Sequence, residues 1–413
     1  MRSSDLLASK RHFEDFVDRY QGSFKRRSWM KFFGAYLAGL LGPLERKSIE
    51  PIALEAGISD RTLRHFIGQA TWDDEAVLAE HQRHVVETLG DRHGVLVLDT
   101  TGFPKKGPHS VGVKRQWCGQ LGKEDNCQIA ATLTYASQKG HTLLNRSLYL
   151  PEEWAKDPKR RRKCGVPDEV VFRRSWELGL EMVEEARRLG VPHAWVTGDE
   201  EFGQSVELHD LLNCQGERYI FEIRSGTHVW DQPPQLRKPR PRGTPPTGPL
   251  LAPDSPKARP VWEIARGLAV KDWETYEIRQ GSKGPLCVRV AWMPVIAVRQ
   301  RRPGPAQWLV ITQTLGKKPE TKYFISNAPV KASIEDMLSG AFARFSIEQC
   351  HEQGKQEVGL GDYETRSWVG WHHHTALALL AHHFLVTEQR RLGEKIRRDH
   401  RRAGATSLLR GPW

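Results

Sequence analysis

Twice in this chain a short apolar run stops at an aspartate. Residues 94–99 read Gly-Val-Leu-Val-Leu-Asp, and residues 194–199 read Ala-Trp-Val-Thr-Gly-Asp. Such runs, bounded by turn signals, fit strands buried on both faces, which need helices packed over the sheet. The pattern therefore predicts an α/β architecture, with Asp99 and Asp199 each where a strand ends and a loop begins. Ligands and chemistry gather at such strand ends in α/β sheets. A carboxylate buried there must be paired or bind a metal, because an unpaired buried charge is costly.

The surrounding segments extend this frame. Residues 1–90 are helical by periodicity, through Phe13, Phe16 and Val17 and then Phe32, Phe33, Tyr36, Leu37 and Leu40, with a break at Gly42-Pro43. Residues 49–69 fit a helix-turn-helix. Ala53 lets two helices cross closely, Gly57 makes the turn, Ser59 caps the second helix, and Ile58, Leu63 and Phe66 pack inward. Arg61, Arg64 and His65 then face outward, on a DNA-reading helix or on an ordinary helical corner. Strands are predicted at 129–136, 143–150 and 219–223, and helices at 170–189 and 204–213. Residues 232–260 hold ten prolines in 29 positions and read as an extended linker. Alternation at 273–279, 286–299 and 307–314 predicts antiparallel strands, with another at 323–328. Long helices are expected at 332–358 and 369–392. The order is β-β-β-α-β-α-β, then an all-β insertion, then helices. It argues for a mixed α/β sheet and against a doubly wound Rossmann fold. No G-x-G-x-x-G or P-loop sequence occurs.

Charge bears on the partner. The chain has 413 residues, with 62 Lys+Arg against 50 Asp+Glu. Residues 1–90 are balanced, 13 basic to 13 acidic, whereas residues 224–303 hold 15 basic to 6 acidic and residues 388–413 hold 8 to 3. Residues 159–163 are five consecutive bases, read as a basic loop. Any one run reads as solvated surface; together they favour a polyanion, most simply a nucleic-acid backbone. Six scattered cysteines without a CxxC pair, and no apolar signal core, predict free thiols in a reducing compartment. The longest apolar stretch, residues 29–44, includes Lys31 and is too short to span a bilayer.

Two strand-end aspartates need a third carboxylate for two-metal phosphodiester chemistry. The helix at 332–358 offers Glu348, Glu352 and Glu357. Three segments carry a resemblance. DTTGFPKKGPHSVGVKRQWCGQLGKEDNCQ runs from Asp99, GDEEFG occupies residues 198–203, and RFSIEQCHEQGKQEVGLGDYETRSWVGWHHHTALALLAHHFL occupies residues 344–385. Together they resemble the three active-site segments of bacterial insertion-sequence DDE transposases, which have a ribonuclease H-like core. Arg344, Glu348 and Lys355 keep the Arg-x3-Glu-x6-Lys spacing of a Tyr-x2-Arg-x3-Glu-x6-Lys signature, while the tyrosine position is Ala341. At i, i+4 and i+11 they would lie roughly on one face of a continuous helix, which Glu352 shares.

The resemblance covers about residues 20–390 and implies a ribonuclease H-like mixed sheet flanked by helices. The expected division is a helical DNA-binding domain at 1–92, a catalytic core at 93–224 and 323–390, a Pro-rich and β-strand insertion at 225–322, and a basic tail at 391–413. Asp99, Asp199 and Glu348 are the implied ligands of Mg²⁺, or of Mn²⁺, and Arg344 and Lys355 the implied phosphate contacts. The implied partners are double-stranded DNA, as terminal inverted repeats and target, and a second copy of the chain on that DNA. The implied location is the bacterial cytoplasm, on the nucleoid, with no membrane. Lys105, Lys106, His109, Arg115, Gln116 and Asn126 either brace the first strand or touch the cut strand. Trp273, Trp292 and Trp308 are core residues of the inserted sheet, or one of them, Trp292 foremost, contacts DNA by stacking on a flipped base. His372, His373, His374, His382 and His383 lack the further ligands of a zinc site and suit packing or DNA contact. A catalytically idle DNA-binding regulator and a nuclease without strand transfer are the competing readings.

Overall fold

Phe16, Tyr20, Phe33, Tyr36 and Leu37 are all buried. They gather the N-terminal helices α1 (Ser3–Asp18), α2 (Arg27–Leu41), α3 (Ile49–Glu55), α4 (Asp60–Gly68) and α5 (Asp74–Leu89) around one aromatic core. The structure is a computed structural model, and it describes residues 3–237, 251–281, 284–300, 302–316 and 318–403. The chain divides into two units, one of residues 1–193 with 345–413 and one of residues 194–344. In the first unit α3 and α4 form the expected corner. Ala53, Leu63 and Phe66 are buried and Gly57 turns at φ +61°. Ser59 precedes α4, but its side chain makes no capping bond.

The strands of this unit are β1 (Val95–Pro104), β2 (Lys114–Cys118), β3 (Lys123–Ser137) and β4 (Gly140–Leu148). All are antiparallel, and β3 pairs with each of the others. Here the sequence reading needs correction: β1 does not end at Asp99. Pairing to β3 continues to Pro104, so Asp99 lies mid-strand, opposite Thr132. The polar stretch after Asp99 hides this, because threonine and glycine break the apolar run without breaking the ladder. Next come α6 (Glu152–Ala155), α7 (Pro158–Cys164) and α8 (Ser175–Arg188). The five consecutive bases thus sit on α7, not in a loop. Leu178, Met182 and Val183 of α8 are buried, as its periodicity predicts.

The second unit opens with β5 (Trp195–Gly198), α9 (Glu200–Gly203), α10 (Val206–Cys214) and β6 (Tyr219–Ile223), with β5 and β6 parallel. It continues through β7 (His228–Trp230), β8 (Arg259–Pro260), α11 (Val261–Gly267), β9 (Glu274–Gly281), β10 (Gly284–Arg299), β11 (Arg302–Thr314), β12 (Thr321–Ser326) and α12 (Ile334–Phe342). The order within this unit is β5-β6-β12-β11-β10-β7-β8, and β9 also pairs with β10. The strands expected to form an insertion are therefore hydrogen-bonded in series with β6, through β12. Residues 238–250, 13 of the 29 positions of the Pro-rich stretch, lie outside the described residues.

The chain returns to the first unit with α13 (Phe345–Gln356) and α14 (Trp368–Ala403). A single helix over 332–358 was expected, but Ala343 and Arg344 form a turn between α12 and α13. The two helices answer to different cores. Gly340 of α12 packs on Trp195 and Ile220, and Ile347 and Cys350 of α13 are buried in the first unit. Apolar periodicity runs through the break and so conceals it. The expected basic tail is helical to Ala403, and residues 404–413 lie outside the described residues. Among the described residues no helix is long and apolar enough to cross a membrane.

Candidate catalytic carboxylates

In the first unit, the positions before Asp99 on β1 are fully buried, and Asp99 opens to partial exposure, with 16% of its side chain accessible. Its Oδ1 accepts the Thr100 N–H at 2.8 Å. Across the ladder, the Thr132 hydroxyl donates to the Asp99 carbonyl at 3.2 Å and lies 2.8 Å from Nε2 of His351. Nδ1 of His351 is 3.8 Å from Asp99 Oδ2. Burial pushes the His351 pKa down to about 3, so at neutral pH the ring is uncharged and this contact is not an ion pair. With the Thr132 proton on the Asp99 carbonyl, His351 must donate through Nε2. Its Nδ1 lone pair then faces the carboxylate, and two acceptors in that position suit a shared cation.

His351 lies on α13, three residues after Glu348, and residues at i and i+3 share a helix flank. Glu348 is exposed in the first turn of that helix. Glu352 is also exposed, accepts Gln356 Nε2 at 3.4 Å, and is one residue from His351, hence on a different flank. Glu357 lies just beyond α13, where its backbone carbonyl accepts Lys47 Nζ at 2.6 Å. Lys355 points its Nζ at the Gly102 carbonyl (3.0 Å) and Gln120 Oε1 (3.1 Å), 5.3 Å from the centre of the Phe103 ring. Burial lowers its pKa, with Cys118 and Asp99 opposing.

In the second unit, Asp199 follows β5 directly and caps α9. Its Oδ1 accepts the N–H groups of Glu201 at 3.0 Å and Phe202 at 3.4 Å. Burial raises its pKa, and Arg344 and those two N–H groups pull it back down. Arg344 is in the turn before α13, not on the helix, so the expected common face with Glu348 and Lys355 does not form. Its guanidinium is paired with Glu222 of β6, which is only 8% exposed and also meets Lys322 Nζ at 3.2 Å.

The other expected contacts divide. Lys106, Arg115 and Arg61 are exposed; Arg64 is exposed and bonded to Asp60 at 2.6 Å. Lys105 is held 3.4 Å over the Tyr363 ring, and burial takes its pKa down to about 8. Asn126 donates to the Lys105 and Gly107 carbonyls and Gln116 to the Cys127 carbonyl, so this pair braces the loop. Trp292 is half-buried, edge-on to Tyr276, and Trp273 packs on the core beneath the same strands. The five histidines of α14 sit inside the helical layer: His373 stacks on Trp72 at 3.6 Å, and His374 reaches the Tyr36 hydroxyl at 2.8 Å.

Sequence reasoning missed His351, Thr132 and Glu222. Helix spacing from Glu348 marks His351, and a lone carboxylate in the apolar strand Tyr-Ile-Phe-Glu-Ile marks Glu222. Thr132 has no such signal.

Among the described residues no three His, Cys, Asp or Glu side chains are grouped so as to hold a metal ion. Asp99 and Glu348 in the first unit and Asp199 in the second each offer carboxylate oxygens, the donor type that suits a hard divalent cation, and the sites of the two aspartates are partly desolvated. A family model described as DDE superfamily endonuclease matches residues 19–285, which include Asp99 and Asp199 and stop short of α13. The chain is also 31% identical over 226 residues to a probable transposase for insertion sequence element IS701 from Microchaete diplosiphon, covering 52% of this chain and 55% of that protein. It thus spans about half the length of that curated relative. The mixed α/β architecture agrees with a ribonuclease H-like core.

Proposed function

Because this chain belongs to the DDE superfamily endonuclease family, we propose that it is an insertion-sequence transposase that cuts and rejoins DNA at the ends of its element. The name of its IS701 relative supports this reading. Asp99, Asp199 and Glu348 are the ligand set. The observation that carries it is the contact of His351 with Asp99, which ties the helix bearing Glu348 to the strand bearing the first aspartate. Mg²⁺ or Mn²⁺ bound there supplies Lewis acidity for in-line attack at phosphorus.

The protein's own groups prepare that chemistry. The Thr100 N–H fixes one oxygen of Asp99 and the α9 N–H groups one oxygen of Asp199, which orients both carboxylates. Arg344, a planar fork, and Lys355, a point charge, hold phosphates of the bound end, and neither replaces the other. Arg61, Arg64, Lys106 and Arg115 follow the DNA backbone. The protein acts as a homodimer holding two ends, in the cytoplasm on nucleoid DNA.

The test is cleavage of labelled DNA carrying the element's ends, with Mg²⁺, by wild type, Asp99→Ala and Glu348→Ala, once all three bind those ends equally. Calorimetric titration with Mn²⁺ runs alongside. Wild type should cut and bind the ion, and both variants should lose both properties. A Glu348→Ala protein that still cuts would transfer the role to Glu352. A wild type that binds the ends but never cuts would instead be a regulator.

A further inference from the structure

Glu222 stands where the pattern of its strand asks for an apolar residue. It is the lone charge in Tyr-Ile-Phe-Glu-Ile, the strand β6 of the second unit, whose five positions are all buried. A carboxylate held at that depth needs partners for its oxygens. Lys322 of β12 lies 3.2 Å from Oε1, and the Arg344 guanidinium donates to Oε2. The parallel register pairs Gly198 with Phe221, so the next residues along, Asp199 and Glu222, are neighbours at the ends of adjacent strand positions. The helix that Asp199 caps, α9, packs on the Glu222 backbone at Gly203. Two carboxylates therefore stand side by side within the second unit, and one guanidinium acts on both.

That guanidinium is bonded to Glu222. Asp199 accepts the Glu201 and Phe202 N–H groups, and among the described residues it forms no ion pair. Arg344 is nonetheless close: burial raises the Asp199 pKa, Arg344 lowers it, and Glu222 raises it again. Which carboxylate takes the guanidinium matters for chemistry. A guanidinium is always charged and fits a carboxylate with two parallel hydrogen bonds. Paired with Asp199, it would occupy the oxygens that a hard divalent cation uses. Glu222 takes up this rival instead. Lys322, on the other side, helps keep Glu222 ionised at its depth, and so able to hold Arg344.

We propose that Glu222 is a positioning residue for Asp199: by holding the Arg344 guanidinium it keeps that group off the Asp199 carboxylate, so that a divalent cation need not displace it. The proposal deepens the transposase reading and rests on Asp199 being a metal ligand.

The experiment uses the full chain without DNA and Mn²⁺ alone as the probe, with affinity read by calorimetric titration and folding by melting curves. Wild type should bind the ion and Asp199→Ala should bind it far more weakly. Glu222→Gln keeps the shape and removes the charge. It should weaken Mn²⁺ binding about 10-fold, since a charged hydrogen bond between Arg344 and Asp199 must then be broken for each ion bound. In an Arg344→Gln background the same substitution should change nothing, because the rival is gone. Glu222→Asp keeps the charge and shortens the reach, so it should fall between wild type and Glu222→Gln, and it carries the test if Glu222→Gln does not fold. If Glu222→Gln weakens binding by the same factor with and without Arg344, Glu222 acts through its charge or its packing alone and the proposal is wrong. If Glu222→Gln, once folded, binds Mn²⁺ like wild type, the proposal is also wrong, while the transposase reading stands. An Asp199→Ala protein that binds Mn²⁺ like wild type, or a wild type that binds none, removes the ligand reading of Asp199 and this proposal with it.

Discussion

Gly203 shows how one residue can look catalytic and act by shape. It closes the GDEEFG segment, and a Cβ there would collide with the backbone carbonyl oxygen of Glu222. The glycine lets α9 lie flat against β6, which is what delivers the Asp199 cap. Gly203→Ala should therefore destabilise the protein by about 3 kcal/mol, a backbone clash being costlier than a flexible one. A denaturation midpoint equal to wild type would show that α9 can shift at little cost. Legibility differs residue by residue. Asp99 and Asp199 were visible because a carboxylate after an apolar run is rare. Arg344 was visible only as spacing, which does not show that it stands in the turn before α13 rather than on the helix with Glu348. That the Tyr363 ring lies beneath Lys105 is not legible in the sequence.

Among elements, α7 corrects a habit of reading charge. Its five bases suggested a solvated loop, yet the flanking residues spell a helix. Asp157 caps it through Lys159 N–H (2.9 Å) and Arg160 N–H (3.0 Å), Pro158 opens it, and Gly165 closes it at φ +67°. Two of the five bases are structural. Arg160 lies 3.8 Å over Trp154, and Arg161 donates to the Val170 and Pro167 carbonyls. Lys159, Arg162 and Lys163 remain for an anion. Asp157→Ala should cost about 1 kcal/mol, read as faster hydrogen exchange over residues 158–164, with DNA affinity little changed. If affinity collapses instead, the helix is part of the DNA contact. The strands of the second unit were legible because alternation survives in them. Their pairing partner was not, since periodicity gives a strand its faces and leaves its neighbours unspecified.

At the scale of the molecule, the first unit buries a set of uncharged histidines. Burial takes the pKa of His81, His372 and His374 down to about 4 and that of His382 to about 3. Neighbouring charges, such as Arg146 beside His372, add to this. The sign follows from linkage. In the unfolded chain these rings take up protons near pH 6.5, and in the fold they do so only well below that. Their contribution is therefore complete above about pH 6.5 and is lost as pH falls from there toward 4. By pH 5 each ring costs on the order of 1–2 kcal/mol, and four of them together approach the whole stability of an ordinary domain. Thermal melts between pH 7.5 and 5 should show a steep fall, shallower in His382→Gln. A flat profile would mean that the rings are protonated in place. The sequence displayed these histidines plainly and withheld their burial, which for those of α14 depends on aromatic helices hundreds of residues upstream.

The pairing of β12 with β6 on one side and β11 on the other has a bearing on how such chains can be rebuilt. The segment between β6 and β12 is not a cassette that can be lifted out at its sequence boundaries or exchanged between relatives. Excising it would strip β12 of a partner from Thr321 to Ser326, and an open edge of that length is a template for another chain. A working miniature of this protein has to begin by giving β12 a new neighbour.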